Sequence, residues 1–293
     1  MFAQQLANGL VLGATYALFA LGFTLMVGVL RVINLTYGFY FTLGALVALA
    51  GCRDLGLSLW LALPLGMLAA GLAAVIIDTA LLTPLRRARA PELASLMVTL
   101  GAVLLLYSVL SMGLGTEIRR FPLGTLPAGA VMLGEVRLGA AQILIVVTTL
   151  VMVLGLWVLL SRTRLGLALR AVAENPDAAS LMAISVPRMV MATSLLSGVL
   201  AGAAGVLIGL NQNAIQPYMG ETMMLRGFAV IIIGGLGDVR GAVAAGLVLG
   251  VAEVMAAGYI DSMVKDGVAF TLMVLVLWLK PAGLLGRARV TRA

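Results

Sequence analysis

GFTLMVGVLRVINLTYGFYFTLGA, residues 22–45, runs apolar through Leu30, turns polar at Arg31–Thr36, and resumes with aromatic residues, glycine and alanine. A second stretch, GFAVIIIGGLGDVRGAVAAGLVLG (227–250), follows the same plan. Backbone in lipid must hydrogen-bond to itself, so a break at membrane depth survives only beside protein or a water-filled path. Paired, glycine-interrupted spans in the two halves of a chain point to a transport pathway. Asn34, Thr36, Tyr37 and Gly38 are therefore the candidate pathway residues of the first stretch. Gly234, Gly235 and Gly237 are those of the second, with Asp238 and Arg240 as polar neighbours. The competing reading makes both breaks ordinary turns, their glycines serving only close helix packing.

The composition gives these breaks their membrane setting. The chain has 293 residues, 62% hydrophobic and 11% charged, with a mean hydropathy of +1.13. A soluble domain is nearer half apolar and about a quarter charged. Too few polar residues remain to cover a soluble surface. The apolar stretches lack the alternation of a barrel. An all-α, polytopic integral membrane bundle follows, read as one domain over residues 1–293. The net charge of +7 sits in short loops, where membrane topology explains it, and nucleic acid is not an expected partner. One cysteine and no histidine exclude an internal disulfide and the usual zinc, haem and iron–sulfur ligand sets. No cofactor, metal or catalytic residue is expected, and neither a Ser–His pair nor H-E-x-x-H is present. The N-terminus MFAQQLANG lacks a basic region, so its apolar span reads as retained.

Apolar spans lie near 9–30, 36–51, 58–83, 93–114, 140–160, 190–210, 222–236, 241–257 and 264–280. A crossing helix needs roughly 20 residues, and 36–51, 222–236 and 241–257 are short or broken by glycine. If all nine cross, one side receives Arg31, Arg86, Arg87, Arg89, Arg162, Arg164, Arg170, Arg188, Arg240, Lys280, Arg287, Arg289 and Arg292, which is 13 of the 19 basic residues. Arg53, Arg119, Arg120, Arg137, Arg226 and Lys265 fall on the other. The bias assigns the first side, and the C-terminus, to the cytoplasm. Segment 115–139, rich in Gly and Pro, reads as a folded outer loop with a small hairpin, or as a passive connector. Asp78 and Glu253 lie inside apolar runs, where a carboxylate marks function by default. Asp78 is about two turns from Arg86, so an interfacial pairing competes.

The cytoplasmic loop 161–189 holds LALRAVAENPDAASLMAISVPRM (167–189). Leu167–Glu174 fits a short helix with Arg170 on its surface. Asn175 is a good N-cap, Pro176 suits the first helical position, and Asp177 sits at the positive end of a second helix. Ala178, Leu181, Met182 and Ser185 share one side with Ile184 adjacent, and Pro187 is expected to end the helix. Such a helix suits a groove on a soluble partner. The alternative is a helix lying on the bilayer surface.

RAVAENPDAASLMAI resembles the cytoplasmic coupling segment of the branched-chain amino-acid (LivH-type) ABC transporter permeases. NGLVLGATYALFALGFTLMVGVLRVINLTYG and GFAVIIIGGLGDVRGAVAAGLVLGVAE resemble that family's first span and its Gly-Gly-Leu-Gly stretch, in the right order. The resemblance implies a permease of about eight spans, with broken or re-entrant segments, in a bacterial inner membrane. It implies a second homologous permease, two cytoplasmic ATPases, an extracytoplasmic binding protein, and amino acids or other small polar solutes as cargo. Arg170, Glu174, Asn175, Asp177, Leu181, Met182 and Ile184 become the candidate ATPase-coupling residues. Two positions depart from the family. Tyr37 stands where His is usual, which bears on substrate choice. Ala183 stands where Gly is frequent, which suggests a slightly different helix surface. A stand-alone ion-coupled transporter using Glu253 is the alternative.

Overall fold

The computed structural model describes residues 1–30, 32–88, 90–122, 124–125, 129–134, 136–261, 265–280 and 283–286. Arg31, Arg89, Arg287, Arg289 and Arg292 of the charge count lie outside the described residues. All nine apolar stretches are helices. They are α1 (Phe2–Leu30), α2 (Tyr37–Arg53), α3 (Leu59–Ile77), α5 (Glu92–Leu114), α6 (Ala140–Arg162), α9 (Val186–Gln212), α10 (Met219–Gly234), α11 (Val239–Tyr259) and α12 (Lys265–Leu279). A π-turn, Asp78–Leu82, joins α3 to the short α4 (Thr83–Arg87), so that Leu59–Arg87 runs as one 29-residue span. Among the described residues six helices are long and apolar enough to cross a bilayer. The 17 residues of α2 and the 16 of α10 reach only about 25 Å at 1.5 Å per residue. Of the three stretches read as short or broken, these two are short, whereas the third, 241–257, lies in the 21-residue α11, which is long enough to cross.

Helix α1 is the centre of the bundle and packs against α6, α9, α10 and α11. Its middle, from Val11 to Met26, is buried on every face. The periphery is formed by α3, α5, α6 and α12, which expose Leu68, Leu72, Met97, Leu104, Leu150, Leu154, Val274 and Trp278. That arrangement suits lipid on the outside. Between helices in lipid there is little hydrophobic drive, so close van der Waals packing must hold them, and small residues permit it. A Cβ at Gly13 would lie 2.8 Å from Leu247 Cα of α11. At Gly202 of α9 it would lie 2.6 Å from Ala70 Cβ of α3, and Gly44 of α2 presses on Gly202 from another side.

At one end, β1 (Ala130–Leu133) and β2 (Val136–Gly139) form an antiparallel hairpin. Gln4 of α1 clasps it: Gln4 Nε2 donates to Arg137 O at 3.0 Å, and Arg137 N donates to Gln4 Oε1 at 2.8 Å. The hairpin strands of segment 115–139 are thus tied to the bundle. At the opposite end lie α7 (Arg164–Glu174) and α8 (Pro176–Leu181). The described basic residues divide between the two ends as the sequence pattern requires, with one exception. Arg226 is in no loop; it is the eighth residue of the 16-residue α10. The N-terminal turn stands at the hairpin end, and Gly283–Leu285 at the basic end, where Leu284 N donates to Ile233 O at 2.7 Å.

Gly202→Val should cost at least about 3 kcal/mol, because backbone cannot retreat from the new methyls. Gly101→Val, on an open face of α5 with nothing near its missing Cβ, should be nearly neutral. Thermal melting of both variants in mild detergent measures the difference; equal melting points would refute the packing described.

Candidate functional site: two turns, a capped helix and a buried ion pair

The first break is a compact polar knot. Asn34 Oδ1 accepts from Thr36 N at 2.9 Å and from the Thr36 hydroxyl, and Thr36 Oγ1 shares a 2.7 Å bond with Tyr40 Oη. The first of these bonds gives the Thr36 N–H a partner within the break. Asn34 and Thr36 are buried, and Tyr37 is 0% exposed. Tyr37 stacks on Phe23 at 5.2 Å and donates its hydroxyl to Phe19 O at 2.9 Å. In this arrangement it is a packing joint between α1 and α2, seated in the space left by Gly22. Gly38 lets the start of α2 press on the start of α10 at Gly220, whose N–H donates to Thr42 Oγ1 at 3.0 Å.

The second break is a tight turn. Gly235 and Gly237 take φ of +104° and +87°, a region that favours glycine. Asp238 Oδ1 caps α11, accepting from Arg240 N at 2.8 Å and Gly241 N at 3.0 Å, and Gly234 presses on Gly241. The two breaks also face each other. Phe23 and Phe228, the second residues of the two quoted stretches, meet edge-on at 4.9 Å. A Cβ at Gly28 would lie 3.5 Å from Gly237 Cα. The flanks of the two breaks therefore meet, but the candidates themselves lie apart: Gly38 stands against Gly220 at the start of α10, and Gly234, Gly235 and the exposed Gly237 stand at its end.

Asp78 and Arg86 pair as the interfacial reading expects. Arg86 gives both terminal amines to Asp78, at 2.7 and 3.1 Å. The π-turn between them winds the two residues, eight apart, onto one face. Arg86 also borders a groove of about 140 Å³ with Val29, Leu30, Val172, Pro176, Val186 and Val190. That groove lies between the end of α1, the start of α9 and the loop helices.

Those loop helices are capped at both ends. Thr163 Oγ1 accepts from Gly166 N at 3.1 Å to start α7, which carries Arg170 and Glu174 exposed. Asn175 Oδ1 accepts from Asp177 N and Ala178 N, both at 3.0 Å, to start α8. Ala179 is buried beneath, whereas Leu181 is 87% and Met182 77% exposed. Ile184 is half-buried. Two expectations need correction here. Pro187 does not end the helix; it lies in the first turn of α9. The helix ends instead at Ala183, which takes a left-handed φ of +60°. Ile184 N donates to Ala179 O and Ala183 N to Ser180 O, both at 3.1 Å. This is a Schellman closure, whose turning residue is ordinarily glycine. The Ala183 departure is thus a matter of backbone conformation, not of helix surface.

Glu253, the other carboxylate inside an apolar run, is also paired. It is fully buried in α11, accepts from Tyr16 Oη at 2.7 Å and faces Arg226 Nε of α10 at 3.5 Å. The Arg226 guanidinium also stands 5.8 Å from the Tyr16 ring centre. A carboxylate already matched by arginine is not the bare coupling group that an ion-driven transporter requires. Sequence reasoning missed this pair because it counted Arg226 with the basic residues of the outer side, although the span 222–236 contains it. The available signal was an arginine near the middle of GETMMLRGFAVIIIG, the seventh of its fifteen residues.

A lipid-facing helical bundle with paired broken spans and a capped helix at one end defines a polytopic permease. Residues 5–277 match the family described as branched-chain amino acid transport system, permease component, and the chain belongs to that family. It is 34% identical to the high-affinity branched-chain amino acid transport system permease protein BraD of Pseudomonas aeruginosa, over 99% of this chain and 98% of that one. It is 32% identical to LivH of Escherichia coli K12, over 99% and 97%. LivM of Salmonella typhimurium is 28% identical over 94% of this chain and 68% of its own length. Among solved structures, PsaBC from Streptococcus pneumoniae in complex with Fab shares the fold with a TM-score of 0.51 at 11% identity, covering 96% of this chain and 93% of that one.

Ala183→Gly should stabilise the protein by about 0.5–1 kcal/mol, since glycine removes the left-handed strain. A raised melting point in detergent is the expected reading; a lowered one would mean that the αL closure is not what ends α8.

Proposed function

We propose that this chain is one of two permease subunits of an ATP-driven importer that moves branched-chain amino acids, or similar small polar solutes, across a bacterial inner membrane. Likeness over almost the full length of named branched-chain amino acid permeases carries this reading. The presence of both LivH and LivM permeases in Salmonella typhimurium supports a second, homologous subunit as partner. The chain has no G-x-x-x-x-G-K-[ST] motif, so ATP energy must come from partner ATPases. An extracytoplasmic binding protein would deliver the solute at the hairpin end. The basic end, with the C-terminus, would face the cytoplasm.

The coupling role falls to α7 and α8, with Arg170, Glu174, Asn175, Asp177, Leu181, Met182 and Ile184. Leu181 and Met182 project from a helix fixed at both ends, as a docking surface on a soluble ATPase requires. Movement of that helix presses on the groove shared by α1, α4 and α9. It would thereby tilt the central helix and the broken spans packed on it, opening the pathway to each side in turn. Asn34, Thr36, Tyr37, Gly38, Gly234, Gly235 and Gly237 would be the joints of that movement.

Leu181→Asp should abolish uptake and weaken ATPase association while the chain still inserts. The measurement is affinity purification of the tagged permease from mild detergent, with ATPase quantified in the eluate. Undiminished ATPase with normal insertion would remove α8 from the coupling role.

A further inference from the structure

We propose that a second, different permease subunit packs on the exposed stripe Tyr218, Glu221, Thr222 and Leu225 along the start of α10, and brings a basic side chain to Glu221; this rests on the reading of the chain as one of two permease subunits. The argument starts from depth. Helices α1 and α10 run the same way. Gln4 of α1 holds the hairpin, and Ile233 of α10 meets Leu284 at the basic end. Gly227 of α10 lies against the ring of Phe19. Glu221 comes six residues earlier, about 9 Å nearer the hairpin end at 1.5 Å per residue. That is close to the level of Gly13, which packs on Gly246 and Leu247 near the middle of α11. Helix α10 thus starts inside the bilayer, where Gly220 meets Gly38 at the start of α2.

A carboxylate at that depth cannot face hydrocarbon; protein or a water-filled path must meet it. Glu221 is exposed. Among the described residues no hydrogen bond or ion pair closes on its carboxylate. Asp78 and Glu253 differ, since each is matched by an arginine of this chain. The match for Glu221 must come from outside it.

The surroundings point to a helix of another subunit. Tyr218, Glu221, Thr222 and Leu225 recur at spacings of three, four and seven, so they share one face of α10. All four are exposed, Tyr218 by 41% and Leu225 by 53%. Met223, Met224 and Gly227, on the other side of the helix, are buried. Tyr218 is already fixed, its hydroxyl donating to Ser111 of α5 at 3.2 Å and its ring packing 5.5 Å from Tyr107. A stripe of hydroxyls, a carboxylate and a leucine is the composition of a helix contact in lipid, where polar side chains bond across the interface.

The charge selects the partner. Two homologous subunits in one membrane pair about an axis along its normal, which brings equal depths together. A second copy of this chain would set Glu221 against Glu221 wherever α10 met itself, and like charges repel strongly at low dielectric. A homologous but different subunit can carry arginine or lysine at that depth instead.

The test uses the complete complex, purified in mild detergent through the tagged permease. A photo-crosslinking amino acid replaces Leu225 in one preparation, and in another Leu154, 52% exposed on α6. Illumination should join the chain to the second permease from position 225 and not from 154. Glu221→Gln should keep the melting point of the chain while lowering recovery of the second permease by about tenfold or more, the loss expected when a charge-assisted pair is broken. Crosslinking from position 225 to lipid alone, or to a second copy of this chain, would overturn the proposal. Full recovery of the second permease by the Glu221→Gln variant would also overturn it; slowed leucine uptake in that case would assign the carboxylate to the solute instead. A wild-type preparation without any second permease would defeat the reading of the chain as one of two permease subunits.

Discussion

Everything in this bundle depends on how closely helix backbones approach one another without water to drive them together. In lipid, apolar side chains gain little by leaving hydrocarbon, so contact area and packing density carry the association. The keystone is the meeting of Gly44 on α2, Gly66 on α3 and Gly202 on α9, where three helices share one place because none has a side chain there. Gly13 and Gly246 do the same between α1 and α11. With these contacts α1 can be enclosed on all sides, and its aromatic residues can form the interior against which Tyr37, Phe41 and Phe228 pack.

The same constraint explains where polar residues are allowed. Each break in an apolar span frees backbone groups that lipid will not satisfy. At the first break Asn34 accepts from the Thr36 N–H, and at the second Asp238 accepts from the N–H groups of Arg240 and Gly241. A break so stabilised is rigid locally, yet it divides the chain into shorter helices that can tilt as bodies. Rigid pieces joined at buried turns are the mechanical material of alternating access.

Fold class, the helices of the nine apolar stretches, the hairpin and the capped loop helix were all legible in the sequence, because each has a local signal. Long apolar runs mark spans, Asn-Pro-Asp marks the start of α8, and Gly-Pro-rich sequence marks the outer segment. What was not legible depended on contacts distant in sequence. Arg226 looked like a loop arginine because charge counting assumes that arginines avoid the membrane, and Glu253, 27 positions later, gives no local hint of its partner. Ala183 was misread for a different reason. Left-handed backbone is ordinarily announced by glycine or asparagine, and an alanine there is silent. Pro187 was ambiguous in itself, since proline suits both the end of one helix and the first turn of the next.

Helix α8 shows how such a segment is held and what is left over. Six residues are far too few for an isolated helix, which is marginal below about 12–15 residues. Its order comes from Asn175 at the start, the Schellman bonds at Ala179 and Ser180 at the end, buried Ala179 below, and Pro176 against the groove. None of these involves the side chains of Leu181 or Met182. Two large apolar residues that contribute nothing to the helix carrying them, and that project from an arginine-rich loop, incur a cost in water. The fold accounts for the rigidity of α8 but not for the two apolar side chains that α8 displays.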